Sequence, residues 1–102
     1  MTPAARARKR GLDEELVIAR RLGGRKMGAM NLPWDVEVPG WMRVQVKKLR
    51  TLPSLNAVIA WLDEMPKGED IRAVSVTTTP GAGHKVKRVL IVYLDEYEDW
   101  YG

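Results

Sequence analysis

Residues Asp35 to Lys48 constrain the fold more than any other stretch. Two short alternating runs, Trp34 to Val38 and Trp41 to Lys48, flank the pair Pro39-Gly40. A period of two is the pattern of a half-buried strand, and Pro-Gly is a turn signal, so the stretch predicts a β-hairpin. In the second run Val44 and Val46 share one face, while Arg43, Gln45 and Lys47 share the other. The neighbouring strand of the hairpin brings Asp35 within reach of Gln45 and Lys47. A carboxylate, an amide oxygen and an ammonium gathered on a rigid element suit a hard divalent cation and a phosphodiester.

With 102 residues the chain forms one domain with a modest core. It contains no cysteine, which excludes disulfides and thiolate metal sites and fits a reducing, cytoplasmic setting. No apolar run approaches membrane-spanning length, and no signal-peptide core follows the basic N-terminus. The net charge is +4. Most of the Lys and Arg lie in residues 1–50, and most of the Asp and Glu in residues 51–102. A basic half beside an acidic tail points to a polyanionic partner for one face, or to ordinary solvated charge.

Residues 1–10, with Arg6, Arg8, Lys9 and Arg10, read as a flexible basic arm able to lie on phosphates. Residues 11–102 form the single folded domain. Leu12 to Leu22 predicts a helix stopped by Gly23-Gly24. At 100° per residue its apolar arc runs through Ile18, Leu22, Ala19, Leu12 and Leu16, with Glu15 inside the arc and Glu14 at its edge. A carboxylate in a buried stripe needs a partner. Glu15 either pairs with a basic residue at the core margin or faces a metal or active site.

Arg25 to Asn31 offers a first short strand. Ser54 caps a second helix running to about Met65, whose apolar stripe is Leu55, Val58, Ile59 and Leu62. Ile71 to Thr78 and Val86 to Leu94 read as strands, and the continuous apolar run Val89 to Tyr93 predicts burial on both faces. Between them Pro80 to Gly83 lacks the residues of a phosphate-binding loop, and His84 reads as a surface residue. The tail carries Tyr97, Trp100 and Tyr101, as a short helix on the sheet or as a dimer contact. The order is α-β-β-β-α-β-β, and a mixed central sheet flanked by helices makes this a small α/β protein.

Three motifs together resemble the PD-(D/E)xK nuclease superfamily, and most closely its small Holliday-junction-resolvase-like endonucleases of phages and archaea. They are Gly11-x-x-x-Glu15, the acidic strand Asp35-Val-Glu-Val-Pro-Gly, and Val44-Gln45-Val46-Lys47 in place of the hydrophobic-Glu-x-Lys signature. The resemblance covers residues 9 to 100. It implies a restriction-endonuclease-like core and Mg²⁺- or Mn²⁺-dependent hydrolysis of DNA phosphodiesters, selective for branched or junction DNA. It also implies a homodimer that cuts two strands symmetrically, with Trp41, Trp61 or the aromatic tail supplying the contact. Glu15, Asp35, Gln45 and Lys47 are the implied catalytic residues. The implied metal ligands are Asp35, the Gln45 side-chain oxygen, the Val46 main-chain carbonyl and Glu15. Arg8, Lys9, Arg10, Arg43, Lys48, Arg50, Lys85, Lys87 and Arg88 are candidate DNA contacts. Gln45 stands where the signature has a second carboxylate, and Trp34 separates Pro33 from Asp35. The alternative is a nucleic-acid-binding protein on the same scaffold, catalytically silenced by Gln45.

Overall fold

The structure, a computed structural model, describes residues 3–28, 31–79 and 85–101, and side chains from residue 13 onward. The Pro80–Gly83 loop and His84 lie outside the described residues, as do the side chains of Arg8, Lys9 and Arg10.

The expected α/β class holds. Helix α1 (Pro3–Leu22) is followed by strands β1 (Arg25–Lys26), β2 (Val36–Val38) and β3 (Met42–Leu49). Then come α2 (Leu55–Glu64), β4 (Ile71–Thr78), β5 (Lys87–Val92) and α3 (Leu94–Tyr101). The five strands form one sheet in the order β1-β2-β3-β4-β5. β3 and β4 are parallel and every other neighbouring pair is antiparallel. Parallel neighbours need a crossover, and α2 supplies it.

The Pro39-Gly40 hairpin forms between β2 and β3, with Val36 opposite Val44 and Val38 opposite Met42. Gly40 takes φ 73°, a left-handed conformation that favours glycine there. Alternation then splits the core in two. On one face Ile18 and Ala19 of α1 pack on Val36, Met42, Val44 and Ala73. On the other, Val58 and Leu62 of α2 pack on Val74 and Val76, with Leu49 and Trp61 partly buried against them. The Ser54 cap forms as expected, its hydroxyl accepting from Ala57 N–H at 3.1 Å.

Three expectations are corrected. The first helix starts at Pro3 rather than at Leu12, because an Ala- and Arg-rich run is a good helix former. The buried stripe of α1 is turned toward Glu14, which is 2% exposed, and away from Leu16, which is 40% exposed. And β5 is not buried on both faces. It returns antiparallel from β4 to the rim of the sheet, leaving Val89 48% and Leu90 43% exposed. The doubly buried strand is β4, which holds the place between β3 and β5.

No residue of helix α3 is fully buried; it is held by an ion pair to β4 and by Trp100, whose ring centre lies 6.0 Å from that of Trp41. Arg72 on β4 donates from Nη2 to Glu96 Oε2 at 2.6 Å and from Nη1 to the Met65 carbonyl at 3.2 Å. Its main-chain N–H reaches the other Glu96 oxygen at 3.1 Å, and its guanidinium lies 5.2 Å from the centre of the Tyr93 ring. Replacing Arg72 with Met leaves Glu96 without its partner in a site that is mostly buried. The expected cost is on the order of 3 kcal/mol. Hydrogen exchange across residues 94–101 should rise well before the rest of the sheet opens. Protection unchanged there would show that α3 is held by something else.

Candidate functional site

Asp35 is fixed on both sides by the backbone around it. Its N–H donates to the Val44 carbonyl at 2.9 Å, and its own carbonyl accepts from Met27 N–H at 2.9 Å. Its side chain accepts from the Val46 main-chain N–H at 2.8 Å. The loop before β2 and the middle of β3 therefore hold this carboxylate in one place.

Glu15 faces it from α1, close enough to feel the Asp35 charge. Burial raises the Glu15 pKa first, and Asp35 raises it further, to about 7. Lys26 offsets part of this. Burial and a neighbouring carboxylate both disfavour the charged form of Glu15, so a proton or a cation would be stabilising here. Both readings that the sequence leaves open for Glu15 find a neighbour: Lys26 acts on it as a basic residue, but the charge of another acid, Asp35, counts for more.

Glu14, one residue earlier, is a different kind of site. It is buried and accepts from Thr77 Oγ1 at 2.7 Å, from Arg88 Nε at 2.9 Å and from Arg88 Nη2 at 3.1 Å. Burial pushes its pKa up, but the bonds from Arg88 and Thr77 and the charges of Arg88 and Lys48 outweigh that and hold it below the usual range. Arg88, expected to contact DNA, is taken up here. Glu14 was legible as an i, i+4 partner of Ile18, but its place at the edge of the apolar arc hid it.

Gln45 and Lys47 do not join Glu15 and Asp35. Gln45 is 4% exposed and donates from Nε2 to the Trp61 carbonyl at 3.0 Å and to Glu64 at 3.1 Å. Its Oε1 is buried without a partner. Lys47 Nζ sits 4.8 Å from the centre of the Trp61 ring. Both therefore lie on the α2 face. Extending the β2–β3 register sets Asp35 opposite Gln45, but Asp35 precedes β2 and its carboxylate is drawn to Glu15 on the α1 side. On β3 the lysine of that face is Lys48, paired in register with Thr77 and near enough to Glu14 to lower its pKa; Lys26 acts on Glu15 itself. Arg43 is engaged on the α2 face, stacked 4.5 Å from the centre of the Trp34 ring and 3.6 Å from Asp70. Lys48, Arg50, Lys85 and Lys87 are exposed.

No three His, Cys, Asp or Glu side chains among the described residues gather as a metal cluster. Mg²⁺, however, binds through one or two carboxylates and keeps several waters. The Glu15–Asp35 pair, short of positive charge, fits that requirement. No helix among the described residues is long and apolar enough to cross a membrane. No family model, curated protein or solved structure matches the chain.

Proposed function

We propose that the chain is a divalent-cation-dependent DNA endonuclease of the PD-(D/E)xK, resolvase-like kind, with its site on the α1 face of the sheet. The observation that carries this reading is the Glu15–Asp35 pair, an Asp35 carboxylate held by the Val46 N–H at 2.8 Å beside a Glu15 whose pKa burial and Asp35 raise to about 7. Asp35 and Glu15 would hold Mg²⁺ or Mn²⁺, with the main chain of Val46 beside them. A bound cation supplies an activated water and neutralises charge on the phosphate. Asp35 is pre-set for its role by the Val46 N–H, and Glu15 orients the attacking water. The water oxygen bonds to phosphorus as the bond to the 3′ oxygen breaks, leaving a 5′-phosphate and a 3′-hydroxyl. Lys48, on the same face, takes the place that the signature gives Lys47 and meets the phosphate charge. Arg50, Lys85 and Lys87 contact the DNA backbone, which favours recognition by shape over sequence. Symmetric cutting of a junction requires two copies of the chain.

The test is cleavage of a labelled four-way junction beside linear duplex and single strand, with Mg²⁺, Mn²⁺ or chelator. Wild type should leave paired nicks near the branch only when metal is present. Lys48→Ala should lose roughly a hundredfold in rate, the loss typical of one charge-stabilising donor, and Lys47→Ala should lose little. The reverse order for the two lysines would restore the signature assignment and reject the α1-face site.

A second reading is a nucleic-acid-binding protein on the same scaffold. The engagement of Gln45 and Lys47 with Trp61 and Glu64 on the α2 face favours it. Tight junction binding that is indifferent to metal, without cutting, would select this reading.

A further inference from the structure

We infer that Lys26 is a positioning residue of the Glu15–Asp35 site, its ammonium serving both carboxylates as counter-charge and competing with a divalent cation for them. This rests on the reading of that pair as a cation site, and it adds a residue outside the three motifs. The strand register sets its direction. Lys26 pairs with Val36, and Val36 with Val44, and residues opposite one another in a sheet project to the same face. Val36 and Val44 are fully buried in the core under α1, so the Lys26 side chain lies on the α1 face. Arg25, one residue earlier, is paired with Glu37 and projects the other way, 3.9 Å from that carboxylate.

The same face brings both acids to it. Ile18 and Ala19 of α1 pack in one cluster with Val36, and Glu15, three and four residues before them, lies on the same side of the helix. Asp35 immediately precedes Val36, and its carbonyl accepts at 2.9 Å from the N–H of Met27, the residue after Lys26. Lys26 is partly buried and forms no ion pair with any one carboxylate among the described residues. Its charge is nonetheless felt at Glu15, whose pKa it draws down against burial and Asp35. Lys48, on the other flank, acts on Glu14 instead. A divalent ion brings the pair twice the charge of the ammonium. The ion therefore wins the carboxylates, but against a standing repulsion from Lys26.

Isothermal titration of the full chain with Mn²⁺, without DNA and at low salt, tests this. A pH near 8.5 lies above the Glu15 pKa of about 7, so the proton competes little. Lys26→Met should bind Mn²⁺ roughly tenfold more tightly than wild type, because a repelling charge is gone. Lys26→Glu should bind more tightly still, and Lys26→Arg, which keeps the charge, should keep the wild-type affinity. Circular dichroism should match wild type throughout, since Lys26 lies on the rim strand β1 and is partly exposed. A purely structural role for Lys26 has the opposite sign: loosening β1 would free Asp35 and weaken binding in the Met and Glu variants alike. Unchanged or weaker binding in Lys26→Met, beside a wild type that does bind, overturns the proposal and leaves the Glu15–Asp35 site standing. No binding by wild type or by either variant overturns the reading of the pair itself, and this proposal with it.

Discussion

Asp35→Asn is expected to abolish divalent-cation binding and, in the absence of cation, to make the fold more stable. The two effects have one cause. Asn keeps a carbonyl oxygen for the Val46 N–H, which now reaches Asp35 at 2.8 Å, so the local backbone is retained. It removes the charge that, after burial, does most to raise the Glu15 pKa. The cation loses a direct ligand; since losing an outer-shell partner costs about 10- to 100-fold in affinity, the loss here should be about a hundredfold or more. Isothermal titration with Mn²⁺ reads the first effect and urea unfolding the second.

The pH dependence follows with a definite sign. The Glu15 pKa is raised from 4.5 to about 7 in the folded chain, so between those values the folded state binds the extra proton. Stability from this group is full below about 4.5 and falls as pH rises toward 7. Excess Mg²⁺ should flatten that fall by standing in for the proton, and Asp35→Asn should flatten it without metal. The Glu14 and Glu96 pKa values are lowered, so their contributions are lost only at more acid pH and do not mask the window. A wild-type stability that is level from pH 5 to pH 8, with or without Mg²⁺, would mean that the two carboxyls do not share a site.

Much of this architecture was legible because local chemistry forces it. Pro39-Gly40 between two alternating runs can hardly be anything but a turn, and Ser54 before an apolar stripe marks a helix start. The site was legible only in part. Alternation shows that Gln45 and Lys47 share a face, but not which helix covers it, since α1 and α2 both present apolar stripes. Register sets Asp35 opposite Gln45, yet Asp35 lies just outside β2, where side-chain direction is no longer fixed by the pleat. The run Val89 to Tyr93 has the composition of a central strand, and composition does not count neighbours; β5 has one. In α1, Glu14 and Glu15 differ by a single 100° step. A small error in placing the buried stripe, drawn too far toward Leu16, exchanged the buried carboxylate for the half-buried one.

That buried carboxylate sets an expected loss of stability as large as that of Arg72→Met. The Glu14 side chain is 1% exposed, and Arg88 closes over it from β5. Arg88→Met leaves the charge sealed in with only the Thr77 hydroxyl and the more distant Lys48. Breaking a buried pair from one side costs about 3–5 kcal/mol. Because the Arg88 side chain is 30% exposed, solvent screening places the cost at the lower end, about 3 kcal/mol. Urea unfolding near pH 7.5 measures it. In the wild type the lowered Glu14 pKa means that its contribution is present at neutral pH and lost as pH falls through the folded value, below 4.5. In Arg88→Met the main lowering influence is gone and burial raises the pKa, so the deficit relative to wild type should narrow on acidification. Removing both charges in Glu14→Met, Arg88→Met should recover most of the loss, since a buried pair is often replaceable by apolar side chains. If the double variant is as unstable as Arg88→Met alone, the cost lies in the packing of the arginine stem against β4 and α1. If it recovers, the pair ties α1 to the far side of the sheet, and the adjacent residue, Glu15, owes its place opposite Asp35 to that tie.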